Sequence, residues 1–437
     1  MFNSIRKILF YGNDILKGKS IGYHLNDISQ IYKRNSNEKG EITFRRLNHL
    51  LHHAKETTSF YKKYLDVDTF TDFPVIKKEH IQNAGLDLLS SKYVFSKLIK
   101  RKTSGSYGTP VTIHFSKTKM ARQQAELIYY NNLAGLDIGD RYINITTNKK
   151  SKLEKFIKNV VILDPTILNE RWLYESIEII QRNKNVFIIG FPSVLYAIAQ
   201  FMIGNRLPGK VSIRGIITIA EPLDTKIKNS IEEAFRCPVF NRYATMETGV
   251  LGFSDGIKEN LNINQASYVI EVLDFDSDRS VEEGEQGRIV VTDLFSYAMP
   301  LIRYDTGDTA KLEVTDDIGA VKISYTQGRM VETIFRTDGS RISWAVIYDA
   351  MEVANDILQY QFLQTDQKSY QLRLVVQSGY RTENESELIR KLRDVLGDDA
   401  MIDFSYNDSI PPLPSGKRPM IMNLYRKESL EFIKDFN

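Results

Sequence analysis

Cysteine is almost missing from this chain: Cys237 stands alone among 437 residues. A single thiol excludes a disulfide framework and a cysteine-rich structural zinc site, and it fits a reducing compartment. An excess of charge of either sign is missing too. The 58 Lys and Arg against 55 Asp and Glu leave a formal +3. That balance, with a sequence pI of 8.5, argues against a chain built to coat nucleic acid or an acidic polymer. No uninterrupted apolar run approaches the roughly 18 residues that cross a bilayer, so no transmembrane segment is expected. Asn13, Asp14 and Lys17 interrupt the basic, partly apolar start. No apolar stretch of roughly 7–15 residues with a small-residue cleavage site follows, so no secretory signal is expected. Phe2, Ile5, Ile8 and Leu9 could make a surface-seeking amphipathic helix there; a helix packed on its own domain is the simpler expectation. Internal repeats and low-complexity tracts are also lacking.

What is present is ordinary globular composition. At 42% hydrophobic and 26% charged, the chain is too apolar for disorder, and a cytoplasmic location is expected. Its length allows two to four domains at roughly 100–200 residues each. Residues 1 to about 100 read as mostly helical, with Leu47, Leu50, Leu51 and Ala54 at helical spacing. From there strands and helices alternate: strands at Tyr142–Thr146, Val186–Gly190 and Gly215–Ala220, helices at Glu170–Asn183, Pro192–Gly204 and Leu223–Phe235. That alternation predicts a largely parallel sheet covered on both faces. After about 265 short strands separated by turns predict a β-rich, antiparallel part. From about 330 a smaller α+β unit follows, with a helix near 344–357 and at Glu383–Leu396, and strands at Tyr370–Val376 and Met401–Tyr406. The expected fold class is therefore α/β: a large N-terminal domain over 1–328, with a parallel sheet and a β-rich subdomain, and a small C-terminal α+β lid over 329–437.

Six short segments carry candidate chemistry. Arg101–Pro110 holds Thr103, Ser104, Gly105, Ser106 and Gly108, hydroxyls and glycines suited to bring backbone N–H groups to phosphate oxygens. The lysine and spacing of a GxxxxGK[ST] loop are absent. Ile219-Ala220-Glu221-Pro222 and Asn241–Gly249 follow strands, where α/β sheets bind ligands. Thr306-Gly307-Asp308 is expected to place a carboxylate just past a turn, able to accept two ribose hydroxyls. Gly328-Arg329 and Pro414-Ser415-Gly416-Lys417 complete the set.

Taken in this order, the segments resemble the adenylate-forming superfamily of acyl-CoA synthetases, nonribosomal adenylation domains and luciferases. The phrase Ala298-Met299-Pro300-Leu301-Ile302-Arg303-Tyr304 is similar to its phenylacetate–CoA ligase branch and the CapK-like capsular-polysaccharide relatives. The likeness runs from about Thr103 to Lys417. It implies that Thr103–Gly108 hold the β- and γ-phosphates of ATP, and that Ala220, Glu221 and Pro222 line the adenine pocket with Tyr243 stacked on the ring. It makes Glu247 the Mg2+ ligand, Asp308 the ribose carboxylate and Arg329 a basic partner on the ribose or phosphate side. Lys417 becomes the mobile lysine between the substrate carboxylate and the α-phosphate. A carboxylate attacking a phosphate meets anion repulsion, which Mg2+ and a lysine offset.

The implied activity is that of an AMP-forming ligase. It would adenylate a small carboxylic acid and pass the acyl group to the amine of a sugar or amino acid, in polysaccharide or cell-envelope synthesis. An acyl-CoA synthetase, with CoA as acceptor, is the alternative within that class. Thr109, Met246 and Val331 stand where the superfamily commonly has a lysine, a threonine and a hinge Asp or Lys. They keep a reading of another class open: a nucleotide-binding regulatory or scaffold protein without catalysis. The remaining candidates read as structural. His49, His52 and His53 share a predicted helix without a third metal ligand, Lys149–Lys158 is a solvated basic run, and Cys237 is a small buried hydrophobe.

Overall fold

The structure is a computed structural model that describes residues 2–16, 20–67, 69–102, 111–207, 211–257, 260–315, 320–324, 334–342, 347, 350–351, 357–377, 380, 383–413 and 418–425. The fold is mixed α/β, as the alternating pattern predicts. The chain forms two compact units. The first takes Met1–Ser104, Pro110–Asp140 and Phe240–Thr326; the second is built on Arg141–Val239 and Gln327–Asn437.

The first unit begins with the helices Phe2–Leu16, Ser20–Tyr32 and Ser36–Thr57. Ser36–Thr57 starts on a reciprocal cap: the Asn35 side chain accepts from the Glu38 N–H, and Glu38 reaches back to the Asn35 N–H. Leu47, Leu50, Leu51 and Ala54, whose spacing predicts this helix, are all buried, in one cluster with Phe73, Phe115 and Leu301. The helix Lys117–Ala134 is capped by Ser116 and stopped by Gly135 at φ +93°.

Beside these helices lies an antiparallel sheet. Its order is Tyr268–Leu273, Gln286–Asp293, Tyr304–Thr315, Ala320–Ser324, Leu261–Ile263, Gly249–Phe253, Val239–Thr245. The antiparallel texture thus begins at 239, well before the expected 265. The strand expected to end before Asn241 runs on to Thr245, since Asn241 and Arg242 look like loop residues although Asn241 is buried.

In the second unit four strands run parallel, in the order Ile213–Ile219, Val186–Gly190, Tyr142–Ile145, Val160–Leu163. Every residue of Val186–Gly190 is buried, which explains its unbroken apolar run. A second, four-stranded sheet has the order Met401–Tyr406, Ser369–Val376, Ile357–Gln364, Ile421–Asn423, with the helix Glu383–Leu396 between two of its strands in sequence. The helix expected near 344–357 falls mostly outside the described residues. Ile357 instead opens a strand in which only Ile357 and Gln359 are partly exposed and the residues from Tyr360 to Gln364 are all buried. Leu195, Ile198, Phe362, Leu372 and Leu392 all belong to one buried cluster of this unit. No helix among the described residues is long and apolar enough to cross a membrane.

Candidate active site

In the first unit the antiparallel sheet brings Tyr243 and Asp308 together. Strand Val239–Thr245 slips register between Tyr243 and Ala244 and turns through Met246-Glu247-Thr248 into Gly249–Phe253. The buried Tyr243 hydroxyl donates to Asp308 Oδ2 at 2.8 Å. Asp308 is held by a bulge inside Tyr304–Thr315, not by a turn before it. Val290 pairs with Asp305 and Arg288 with Thr309, so Thr306, Gly307 and Asp308 together oppose Ile289. Gly307 takes φ +75°, which suits glycine. Thr306 Oγ1 donates to the Ile289 carbonyl and accepts the Asp308 N–H. Arg288 ties down the start of the bulge through Asp305 at 3.0 Å.

Glu247 sits in the turn and is buried. Its Oε1 accepts from the Tyr304 hydroxyl at 3.2 Å and lies 3.7 Å from Lys78 Nζ. Among the described residues no group of three or more His, Cys, Asp or Glu is placed to hold a metal. A single carboxylate still suits Mg2+, which keeps several waters and takes its other ligands from substrate phosphates. Lys78 is absent from the sequence-derived set, since no local pattern marks it.

Behind this turn lies a buried ionic network that sequence reasoning also missed. The Thr248 carbonyl accepts from the Tyr268 hydroxyl at 2.8 Å and from Gln123 Nε2 at 2.7 Å. The Val250 N–H donates to Glu126 at 3.2 Å. Lys119 pairs with Asp293 at 2.6 Å, and Arg122 donates to Ser267 Oγ at 2.9 Å and to the Ala266 carbonyl at 2.7 Å. Burial pushes the Glu126 and Asp293 carboxyls up, with Lys119 opposing most strongly among the charges. Lys119, Arg122 and Glu126 share one face of a helix at spacings of three and four residues, the available signal for the network. Gly249 lies against the network at φ +133°. A Cβ there would stand 2.5 Å from Glu126 Oε2 and 2.6 Å from the Tyr268 hydroxyl oxygen.

In the second unit the strand Ile213–Ile219 ends at Ala220, which takes φ +68°. Such a conformation is rare for a residue with a Cβ and is typical of functional loops. It is followed by Glu221 and Pro222. Glu221 Oε2 accepts the Ser193 N–H, near the start of helix Pro192–Gly204, at 3.0 Å. Its Oε1 accepts the Arg418 N–H, also at 3.0 Å. Arg418 is 5% exposed. Its guanidinium donates to the carbonyls of Ile410, Pro165 and Thr166, the last at 2.7 Å. Burial pulls its pKa down to about 10, with Glu221 opposing. The segment just after Lys417 is therefore held at both backbone and side chain.

Thr103, Ser104, Gly105, Ser106, Gly108, Thr109, Arg329, Val331 and Lys417 lie outside the described residues. The other expected residues fall as two sets, Tyr243, Glu247 and Asp308 in the first unit and Ala220, Glu221 and Pro222 in the second. His49 and His53 engage Tyr297 at 2.9 Å each, and His52 lies 3.2 Å from Glu56. Cys237 is buried, which pushes its thiol up to about 12.

A family model described as the CapK C-terminal domain matches residues 334–424. Protein CapK of Staphylococcus aureus is 24% identical over 440 residues, covering 94% of this chain and 95% of that protein. The chain is similar to CapK and to ATP-dependent, adenylate-forming ligases. Indoleacetate–lysine synthetase of Pseudomonas savastanoi is similar to this CapK-like chain at 26% identity over 226 residues, 49% of this chain and 52% of that protein. Among solved structures, 2-hydroxyisobutyryl-CoA ligase in a postadenylation state with an acyl-AMP superposes with a TM-score of 0.71 at 16% identity, covering 92% of both chains. That likeness shows the fold.

Proposed function

We propose that this CapK-like protein adenylates a carboxylic acid with ATP and transfers the acyl group to an amine of a sugar or amino acid, in the cytoplasmic synthesis of a polysaccharide or cell-envelope component. The observation that carries the reading is the Tyr243–Asp308 hydrogen bond, on a strand that turns directly into Glu247. It joins the residue assigned to the adenine ring with the residue assigned to the ribose, as one nucleoside requires. Asp308, held in its bulge, accepts the ribose hydroxyls. Tyr243 stacks on adenine, a role in the same binding step that the family resemblance also assigns to Ala220, Glu221 and Pro222. Mg2+, held at Glu247 when bound, offsets phosphate charge.

The acid's carboxylate oxygen attacks the α-phosphorus, the bond to pyrophosphate breaks, and acyl-AMP forms. Lys417 neutralises the two anions as they meet, while Thr103–Gly108 and Arg329 hold the outer phosphates and the ribose side. The acceptor then attacks the acyl carbon, its proton leaves, and AMP departs. The division into 1–328 and a lid over 329–437 that carries Lys417 belongs to the same reading. Indoleacetate–lysine synthetase, with an amino acid in its name, supports an amine acceptor. The similarity to 2-hydroxyisobutyryl-CoA ligase supports CoA as the second acceptor reading.

The test is ATP–pyrophosphate exchange across a panel of acids, followed by CoA, amino acids and amino sugars added to the preformed acyl-AMP. Acid-dependent exchange is expected, with acyl transfer to an amine. ATP binding without exchange for any acid would support the non-catalytic nucleotide binder instead.

A further inference from the structure

The helix Phe2–Leu16 packs by one face, and among the described residues the other face is exposed. On the packed side Lys7 pairs with Asp137, and buried Asp14 accepts the backbone N–H groups of Ile21 and Gly22 at 3.0 and 2.8 Å. These contacts fix the helix on the first unit. On the other side Ile5, Ile8, Leu9, Ile15 and Leu16 are 45, 69, 65, 56 and 87% exposed. Their spacing of three, one, six and one residues puts all five on one stripe of a 3.6-residue turn. Scattered exposed apolar residues are ordinary, but a stripe along a whole helix marks a surface that something covers.

Charge indicates what covers it. Residues 1–19 contain four basic side chains, Arg6, Lys7, Lys17 and Lys19, and one acidic one, Asp14. This short stretch therefore carries the entire formal excess of +3, and the rest of the chain is balanced. A second copy of the chain would bring the same positive segment to the same face. An anionic surface would meet it with opposite charge. The helix is 15 residues long, about 22 Å at 1.5 Å per residue, so it is too short to span a bilayer but can lie along one.

We propose that the Phe2–Leu16 helix docks the protein on an anionic lipid surface, with Ile5, Ile8, Leu9, Ile15 and Leu16 entering the headgroup–acyl boundary. The net positive charge of this stretch, with Arg6 in the helix and Lys17 and Lys19 next in sequence, selects negative headgroups, and salt weakens the attraction. An acyl-transfer enzyme so docked would work beside acceptors held at that surface.

The experiment is sedimentation of the full chain with vesicles of phosphatidylcholine alone or mixed with phosphatidylglycerol. Binding at least tenfold tighter to the anionic vesicles is expected, falling as salt is raised. The double variant Ile8→Glu/Leu9→Glu should lose it. Both side chains face solvent, so far-UV circular dichroism and the melting temperature should hold, which separates lost docking from lost folding. ATP–pyrophosphate exchange in solution should also be unchanged, which separates this proposal from the catalytic one. Three results would overturn it: no binding by the unmodified chain, equal binding by the double variant, or a vesicle-free dimer that the double variant converts to monomer.

Discussion

The Tyr243–Asp308–Glu247 region of the first unit and the Glu221–Arg418 region of the second are held by different means. In the first, buried side chains bond to one another and rest on a buried ionic network around Glu126 and Tyr268. In the second, one carboxylate gathers two backbone N–H groups, and one arginine gathers three carbonyls. A buried network with many members resists any single change of position. A clamp built on two side chains can be undone by removing either. The contrast suits the tasks proposed for them: a nucleoside pocket would gain from being preformed, and a clamp beside a catalytic lysine from being releasable.

Variants can break or sharpen that contrast, and the largest effect is expected at Lys417. Lys417→Ala should lower acyl-AMP formation by about 10²–10³-fold while ATP binding, read by calorimetry, is largely kept. Normal acyl-AMP formation would remove the assignment. Gly249→Ala comes next, as a change of stability. The added Cβ meets Glu126 and Tyr268 in a left-handed backbone conformation, so destabilisation of about 2–3 kcal/mol is expected by urea denaturation. A neutral Gly249→Ala would show that the first region yields more than its network implies.

Arg418→Ala should slow adenylation by about tenfold with the KM for ATP little changed, because it undoes the clamp next to Lys417 and leaves the Tyr243–Asp308 pair intact. Tyr243→Phe should do the reverse, raising the KM for ATP a few-fold with kcat little changed, since a net hydrogen bond contributes about 1 kcal/mol. If both variants shifted the same constant, the two regions would be one.

The smallest effect is pH-dependent. His24 packs edge-on against Phe295 beside the Arg122 network, and burial, then Arg122, push its pKa down to about 4. Its folded pKa lies below the ordinary unfolded value of about 6.5, so the unfolded chain binds the proton more readily. Its contribution to stability is full above about pH 6.5 and is lost as pH falls towards 4. His24→Leu should flatten that acid limb by about 1 kcal/mol in denaturation at pH 7 and pH 5, and an unchanged limb would contradict it.

Legibility in the sequence followed the same division. Helices with a clear apolar stripe, such as Ser36–Thr57 and Glu383–Leu396, and the fully buried strand Val186–Gly190 could be read because their periodicity is local. The strand Ile357–Gln364 was missed, and so were the continuation of Val239–Thr245 past Asn241 and its antiparallel pairing with Gly249–Phe253. Glutamines, Asn241 and Arg242 within them look like loop residues until a neighbouring strand supplies their partners. Lys119, Arg122 and Glu126 read as an ordinary charged helix face, and only the fold shows that face turned inward. Lys78 and Arg418 carry no local mark at all. Their roles come from contacts with residues far along the chain, Lys78 with Glu247 and Arg418 with Pro165, Thr166 and Glu221.

The scarcity of cysteine, the balanced charge, the α/β class and the resemblance to the adenylate-forming superfamily were legible in the sequence alone, because composition, periodicity and motif order are properties of consecutive residues. Tertiary structure decided that Asp308 sits in a bulge under Tyr243, that Glu221 clamps Arg418, and that the Phe2–Leu16 helix keeps an apolar face in solvent. Each of these depends on which distant segments pack together, and the choice of a long-range partner is not written in local sequence.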